Sequence, residues 1–226
     1  MKIFRRQNEL EKILGYKFSD EKILVRALTH PSVAEKPSDS YQRLEFLGDA
    51  LLDYIVGDWL FRKYPDANEG KLTEMRRILV NSTALANIAK NLGLQNFIIY
   101  DSSAENFSLS DSILCDVYES IVGAIYVDSS LKSVEDFISR TLFKYADILL
   151  HSPKFINYKG QLLELLQSKG RQPHYIVLET TGPPHNIEFT IGVYDVDELL
   201  GIGVGASKKD AEQNAAKKAL EMLAKL

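Results

Sequence analysis

Apolar residues recur every three or four positions through residues 1–150, the spacing of helices that bury one face. The clearest segments are 44–61, 71–92, where one or two helices fit, and 110–130, and a further helix is predicted over roughly 134–150. Ser110 or Asp111 is placed to cap the third of these. The pattern predicts an all-α N-terminal domain.

The periodicity changes after residue 155. A helix at 158–169 is followed by three runs rich in β-branched and aromatic residues, at 175–179, 188–194 and 198–204, separated by turn residues. An alanine-rich helix closes the sequence. This α-β-β-β-α order predicts a small α+β domain over residues 156–226, joined to the domain of residues 1–150 by a short linker near residues 152–153.

Composition narrows the class of protein. Apolar residues make up 45% of the sequence and charged residues 26%, as in ordinary globular domains. The single cysteine, Cys115, excludes an internal disulfide framework. It falls within an apolar helical pattern, so we expect a small core residue there.

Charge and hydropathy bear on location and partners. No apolar run approaches the ~20 residues that span a bilayer, and the N-terminal MKIFRRQNELEKILGY is too charged for a secretory signal. We therefore expect a cytoplasmic protein with no membrane partner. The formal net charge of −4 gives no overall indication of nucleic-acid binding, so such a site would have to be a local basic patch.

Two acidic pairs interrupt the most apolar helices. Glu45 and Asp49 are four residues apart, and Asp116 and Glu119 are three apart, so each pair lies on one face of its helix. If the two helices pack together, four carboxylates converge, and a cation must neutralise them. Hard divalent cations are the natural partners of such ligands, and Mg²⁺ held by a few carboxylates usually meets substrate phosphates. The chemistry that this arrangement suits is metal-assisted phosphodiester hydrolysis.

Spacing alone does not decide between a metal site and a solvated helix face. One acidic pair is usually solvated, whereas two pairs within apolar segments leave the two interpretations balanced. Asp53 lies two turns beyond Glu45 but about 80° around the helix. We expect Asp53 to be solvated or to face a dimer partner.

The acids lie in two distinctive motifs. YQRLEFLGDALLDY contains Leu-Glu-Phe-Leu-Gly-Asp, and in DVYESIVGAIYVDS an Asp-x-x-Glu is followed by Gly-Ala-x-Tyr. These stretches resemble the signature and the second acidic motif of the ribonuclease III family. ALTHPS at 27–32 and EGKLTEMRRILVN at 69–81 resemble the blocks that flank the signature. The resemblance extends in order over essentially the whole chain.

The resemblance implies a chemistry and a set of site residues. It implies that Glu45, Asp49, Asp116 and Glu119 bind Mg²⁺, for which Mn²⁺ can substitute, and that Asp49 and Glu119 are catalytic. It further implies an endoribonuclease that cuts double-stranded RNA, leaving 5′-phosphate and 3′-hydroxyl ends with short 3′ overhangs. Maturation of ribosomal RNA precursors and turnover of structured transcripts are the implied cellular tasks.

The resemblance also implies a homodimer. The sequence departs from the family pattern at some positions. Phe46 matches the aromatic residue that family members insert into a partner subunit; packing within its own chain is the alternative. Gln42 stands where many bacterial relatives carry an acid, so an outer carboxylate role is lost there. Three features resemble Dicer-type domains: the motifs YQR and DVYES and the acid Asp53. The length of the sequence nevertheless fits the simple architecture of one nuclease domain and one binding domain.

The C-terminal region resembles a double-stranded RNA-binding domain. Lys208 and Lys209 stand at the start of the last helix, where free N–H groups and the helix dipole attract phosphates. The GPPH segment at 182–185 resembles the loop that enters a minor groove, which makes His185 an RNA contact. Gln161 and Glu164 are the expected contacts from the first helix.

Two residues of that first helix leave its contribution open. Gly160 and Leu163 replace a threonine and a glutamine that the family often uses in the minor groove.

The alternative function is a non-cleaving double-stranded RNA-binding protein on the same fold. Loss of the acidic ligands would identify such a protein. A metal enzyme acting on small phosphates is disfavoured by the binding domain.

Overall fold

The chain divides into two compact units, each with its own hydrophobic core. A computed structural model describes residues 6–101, 109–152, 157–183 and 187–224. The units are Met1–Phe155 and Ile156–Leu226. The larger core lies among the helices of the first unit, and the smaller core lies between the sheet and helices of the second.

The described part of the first unit is built mainly of α-helices. They are α1 (Gln7–Leu14), α2 (Glu21–Leu28), α3 (Gln42–Lys63), α4 (Glu69–Leu79), α5 (Ser82–Asn91), α6 (Asp111–Asp128), α7 (Leu131–Thr141) and α8 (Ala146–Leu150). Several begin at a capping side chain; Ser110 caps α6, because its Oγ accepts a hydrogen bond from the amide of Ile113. The predicted all-α character of this region is confirmed.

Helix α6 is the centre of the first unit. Every residue of 114–125 is buried except Asp116 and Glu119, which are partly buried. The Ser120 hydroxyl donates to the carbonyl oxygen of Ala27 at 2.6 Å and so ties α6 to α2. Two acids are therefore held on a rigid, otherwise buried element.

The single helix predicted over 134–150 is wrong, because α7 and α8 are separate helices with a 3₁₀ turn, Phe143–Tyr145, between them. The Thr141 hydroxyl donates back to the carbonyl oxygen of Phe137 at 2.8 Å and bonds the hydroxyl of Tyr118 at 2.7 Å. Such back-bonding competes with the helix ladder and bends it. The break lets both Leu142 and Ala146 reach the core.

The second unit has the predicted α-β-β-β-α order, which confirms the fold class. Its elements are α9 (Tyr158–Gln167), β1 (Pro173–Thr181), β2 (Glu188–Asp195), β3 (Glu198–Gly205) and α10 (Lys208–Leu223). The strands form an antiparallel sheet in the order β1-β2-β3. A Cβ at Gly203 would overlap the backbone of α10 at Ala211 and Ala215, so the alanine-rich face of α10 packs directly on β3.

Candidate active site

Helices α3 and α6 meet backbone to backbone at two glycines. A Cβ at Gly48 would overlap the carbonyl oxygen of Glu119, and a Cβ at Gly123 would overlap that of Leu44. No larger residue fits at either position without moving a helix. This close approach brings the acidic faces of the two helices together.

The four predicted carboxylates converge at this crossing. Carboxylate oxygens of Asp116 and Glu119 and the Sγ atom of Cys115 all lie within 4.8 Å of one another. The acids of α3 join them electrostatically: Glu45 is partly buried, and its pKa is raised by burial and then by Asp116 and Asp49. Asp49 is exposed and lies at the solvent side of the group.

Glu119 carries the clearest sign of crowded negative charge. Its pKa is raised to about 7, first by burial and then by Asp49, Asp116 and Glu45, against a lowering by the Cys115 thiol. That thiol donates to Oε1 of Glu119 at 3.4 Å. Burial raises the pKa of Cys115, so the thiol is a hydrogen-bond donor here.

Asp116 is held from the other helix. The hydroxyl of Tyr41, the residue before α3, donates to Oδ2 of Asp116 at 3.2 Å. Burial raises the pKa of Asp116 and outweighs the opposite effects of Tyr41 and of His30. The group as a whole is an oxygen-rich cluster, and burial disfavours its negative charge.

The donor set fits a hard divalent cation. Carboxylate oxygens on two rigid helices are the ligands that Mg²⁺ and Mn²⁺ take in proteins. A cation among them would offset the burial and the mutual repulsion that together raise the pKa of Glu45 and Glu119. The residues present are therefore compatible with a metal centre.

Asp53, a further acid of α3, lies elsewhere. Oδ1 of Asp53 is 3.7 Å from Nε of Arg76 on α4, which places Asp53 beside a different helix from α6.

Cys115 is buried, as its apolar surroundings predicted, but the sequence did not predict its hydrogen bond to Glu119. Tyr41 was missed as well; the only signal in the sequence is its position four residues before Glu45.

Phe46 lies on the surface of its own chain. Its side chain is 80% exposed, so the alternative of packing within the same chain is wrong. Tyr54 and Phe61 of the same helix are 60% and 70% exposed. Phe61, but neither Phe46 nor Tyr54, borders a cavity of about 400 Å³ between α3 and α4, which Gly57 and Leu72 also line.

A basic surface lies at the start of α10. Lys208 and Lys209 are exposed within its first turn, where the Ser207 hydroxyl caps the helix by accepting from the amide of Asp210. Lys209 borders a hollow of about 550 Å³ that Gly160 and Leu163 of α9 also line. The start of α9 and the start of α10 therefore present one continuous surface.

Two other predicted RNA contacts, Gln161 and Glu164, are not among the described residues that line this hollow. Gln161 is partly buried and Glu164 is exposed, one turn apart on α9. Asn157 folds over the start of α9, its Oδ1 accepting from the amide of Gly160, and a Cβ at Gly160 would crowd that side chain at 2.6 Å. His185 lies outside the described residues.

Comparison with known proteins identifies the family. Residues 20–146 match the family described as Ribonuclease-III-like, and residues 158–223 match the double-stranded RNA binding motif. Ribonuclease 3 of Wolinella succinogenes is 41% identical over 218 residues, which cover 95% of this chain and 90% of the relative. The chain belongs to the ribonuclease III family. Ribonuclease 3 of a Nitratiruptor species is also 41% identical, over 95% of this chain and 96% of its own length.

A solved structure supports the same assignment for the first unit of this ribonuclease III. The nuclease domain of ribonuclease III from Campylobacter jejuni is 40% identical, with a TM-score of 0.57, over 60% of this chain and 95% of that domain. The prediction of a double-stranded RNA endoribonuclease is thereby confirmed at the level of the family. Within the described residues, no helix is long and apolar enough to cross a membrane.

Proposed function

We propose that this ribonuclease III hydrolyses phosphodiester bonds of double-stranded RNA with Mg²⁺, or Mn²⁺ in its place, held by Glu45, Asp49, Asp116 and Glu119. The observation that carries the proposal is the approach of α3 and α6 at Gly48, which sets Asp116 and Glu119 side by side and within electrostatic reach of Glu45 and Asp49. A cation bound by these acids would supply an activated water and charge neutralisation for phosphodiester hydrolysis.

The chain's own residues divide the work of the site. Asp116 and Glu119 project from the buried stretch of α6 and would hold a cation rigidly. Glu45 would complete the set from α3, together with the exposed Asp49. We assign Asp49 and Glu119 as the catalytic acids, one from each helix.

The proposal includes a homodimer. The exposed side chain of Phe46 and the cavity between α3 and α4 are complementary features, one apolar projection and one hollow. In a two-fold dimer, Phe46 of each subunit enters the cavity of the other. A region of the Campylobacter jejuni nuclease domain is described as involved in dimer formation, which supports this assembly.

Two sites in one dimer account for the products. Each subunit cuts one strand of the duplex, and the offset between the cuts leaves short 3′ overhangs with 5′-phosphate and 3′-hydroxyl ends. The RNA-binding domain recognises the duplex by its shape and phosphates rather than by its base sequence. The residues proposed to contact the duplex are Lys208, Lys209, Gln161, Glu164 and His185. We propose ribosomal RNA precursor maturation and messenger RNA processing in the cytoplasm as the tasks.

The experiment uses a labelled RNA duplex with Mg²⁺, Mn²⁺ or EDTA. We expect cleavage only with a divalent cation, and products that a 5′-phosphate-dependent exonuclease degrades. Ends carrying 5′-hydroxyls would overturn the proposed hydrolysis. Binding of the duplex without cleavage under either cation would favour the non-cleaving RNA-binding protein instead.

A further inference from the structure

Tyr41 holds Asp116 across the helix crossing in a way that packing does not require. It lies next to the N-terminus of α3, is 3% exposed, and its hydroxyl reaches Oδ2 of Asp116 on α6 at 3.2 Å. Phenylalanine would fill the same space. The hydroxyl therefore needs an explanation beyond the core.

The tyrosine is itself firmly positioned. Its amide donates to the carbonyl oxygen of Thr29 at 2.9 Å, and its carbonyl oxygen accepts from the amides of Leu44 and Glu45 at 2.9 Å each. Its ring meets the ring of His30 edge-on, with centroids 5.8 Å apart. A donor fixed at both backbone and ring can fix its acceptor in turn.

A second neutral donor serves Glu119. Cys115 donates to Oε1 of Glu119 at 3.4 Å, so Asp116 and Glu119 each have one oxygen engaged by an uncharged side chain. Such a bond orients a carboxylate without adding a positive charge that would compete with a cation. Tyr41 does this from the opposite helix, which links the Asp116 carboxylate to the start of α3.

We propose that Tyr41 is a positioning residue of the metal site, whose hydroxyl fixes the Asp116 carboxylate so that its other oxygen is held for the cation. The inference rests on the proposed function of the four acids. Loss of the hydroxyl should lower metal affinity by about 10-fold or more, the range found for partners of metal ligands.

The test measures Mn²⁺ binding directly, by electron paramagnetic resonance of free Mn²⁺ without RNA. The variants are Tyr41→Phe and, as matched control, Tyr16→Phe, which removes a tyrosine bond to another α6 acid, Asp128, at 2.6 Å. We expect the affinity to fall only in Tyr41→Phe. Equal affinities in wild type and Tyr41→Phe would overturn the inference.

Glu119→Gln separates this inference from the proposed function. If wild type binds Mn²⁺ and Glu119→Gln does not, the metal site stands whatever Tyr41→Phe does. If Glu119→Gln binds as tightly as wild type, or wild type does not bind, the metal site and the role of Tyr41 fall together.

Cleavage as a function of Mg²⁺ concentration distinguishes positioning from a folding defect. With positioning, the Tyr41→Phe curve shifts to Mg²⁺ concentrations about 10-fold higher and approaches the wild-type plateau. A lowered plateau with an unshifted midpoint means fewer folded molecules and would contradict the role. The midpoint is read from the folded fraction alone, so partial unfolding does not obscure it.

Discussion

Gly48 lies against the carbonyl oxygen of Glu119, so closely that a single methyl group on Gly48 would overlap it. A structural glycine of α3 and an acid of α6 are thus parts of one contact. The converging carboxylates depend on this approach, because each helix contributes two of them.

Gly48→Ala should separate the two helices. Overpacking of a tight contact costs up to about 3 kcal/mol, and sometimes more, and here the displaced backbone is that of Glu119. Urea unfolding followed by fluorescence of Trp59, the single tryptophan and a residue of α3, measures the loss. Mn²⁺ affinity should fall in the same variant.

The matched control is Gly70→Ala, in the first turn of α4. A Cβ there would meet only Asn68 Oδ1, at an ordinary 3.7 Å. Alanine favours a helix over glycine by up to ~1 kcal/mol, so this variant should be as stable as wild type or slightly more stable. Equal stabilities of the two variants would show that the contact at Gly48 is unimportant.

The pH dependence of stability should reveal the crowded acids. Because the pKa of Glu119 is raised from 4.5 to about 7 in the folded chain, the folded state holds a proton there that the unfolded state has lost. The contribution is therefore complete below pH 4.5, declines as pH rises, and is gone above about pH 7. Trp59 fluorescence in urea with EDTA, from pH 5 to pH 8, measures the decline.

Glu119→Gln isolates this contribution. His30, whose pKa is lowered by burial, gives stability that changes with pH in the opposite direction, so the difference between wild type and Glu119→Gln is the informative quantity. We expect a smaller loss of stability toward pH 8 in the variant. Mg²⁺ should restore wild-type stability at pH 8, and failure to do so would count against a cation at these acids.

Phe46→Glu should dissociate the proposed dimer. A buried charge replaces a large apolar contact, and loss of a central interface residue costs about 2 kcal/mol or more, which raises the dimer Kd at least ~30-fold. Sedimentation velocity over a concentration series measures it. Val127→Glu, at a side chain 52% exposed near the end of α6, is the control; an unchanged Kd in Phe46→Glu would exclude this interface.

Lys208→Gln combined with Lys209→Gln should weaken binding of any RNA duplex regardless of sequence. Removing a lysine that binds one phosphate reduces the slope of log affinity against log salt by about 1. A titration of labelled duplex with Ca²⁺ at several salt concentrations measures both the affinity and the slope. Lys169→Gln, beyond the opposite end of α9, should leave the slope unchanged; the reverse ranking would place the RNA surface elsewhere.

Much of the fold follows from periodicity. The spacing of apolar residues predicted α3 and α6, and the change to alternating β-rich runs predicted the second unit with its three strands. These features depend on local sequence and on one buried face. The placement of each acidic pair on one face of its helix follows in the same way, because its members are three or four residues apart.

Contacts between distant residues could not be predicted in this way. The break between α7 and α8 depends on the bonds of Thr141 to Phe137 and Tyr118, and the latter is far away in sequence. Tyr41 reaches Asp116 only because α3 and α6 cross where they do. The exposure of the Phe46 side chain could not be predicted either, since an apolar residue on a helix can face its own core or a partner.

Cleavage of a labelled RNA duplex by Glu119→Gln tests the central claim most directly. Glu135→Gln, the same change at an acid of α7 that pairs only with Lys132 within the described residues, is the control. We predict that Glu119→Gln binds the duplex like wild type but cleaves it at least ~100-fold more slowly with Mg²⁺, since loss of a mere partner of a metal ligand already costs about 10- to 100-fold. Glu135→Gln should cleave normally. Cleavage by Glu119→Gln at the wild-type rate would contradict the assignment of the metal site.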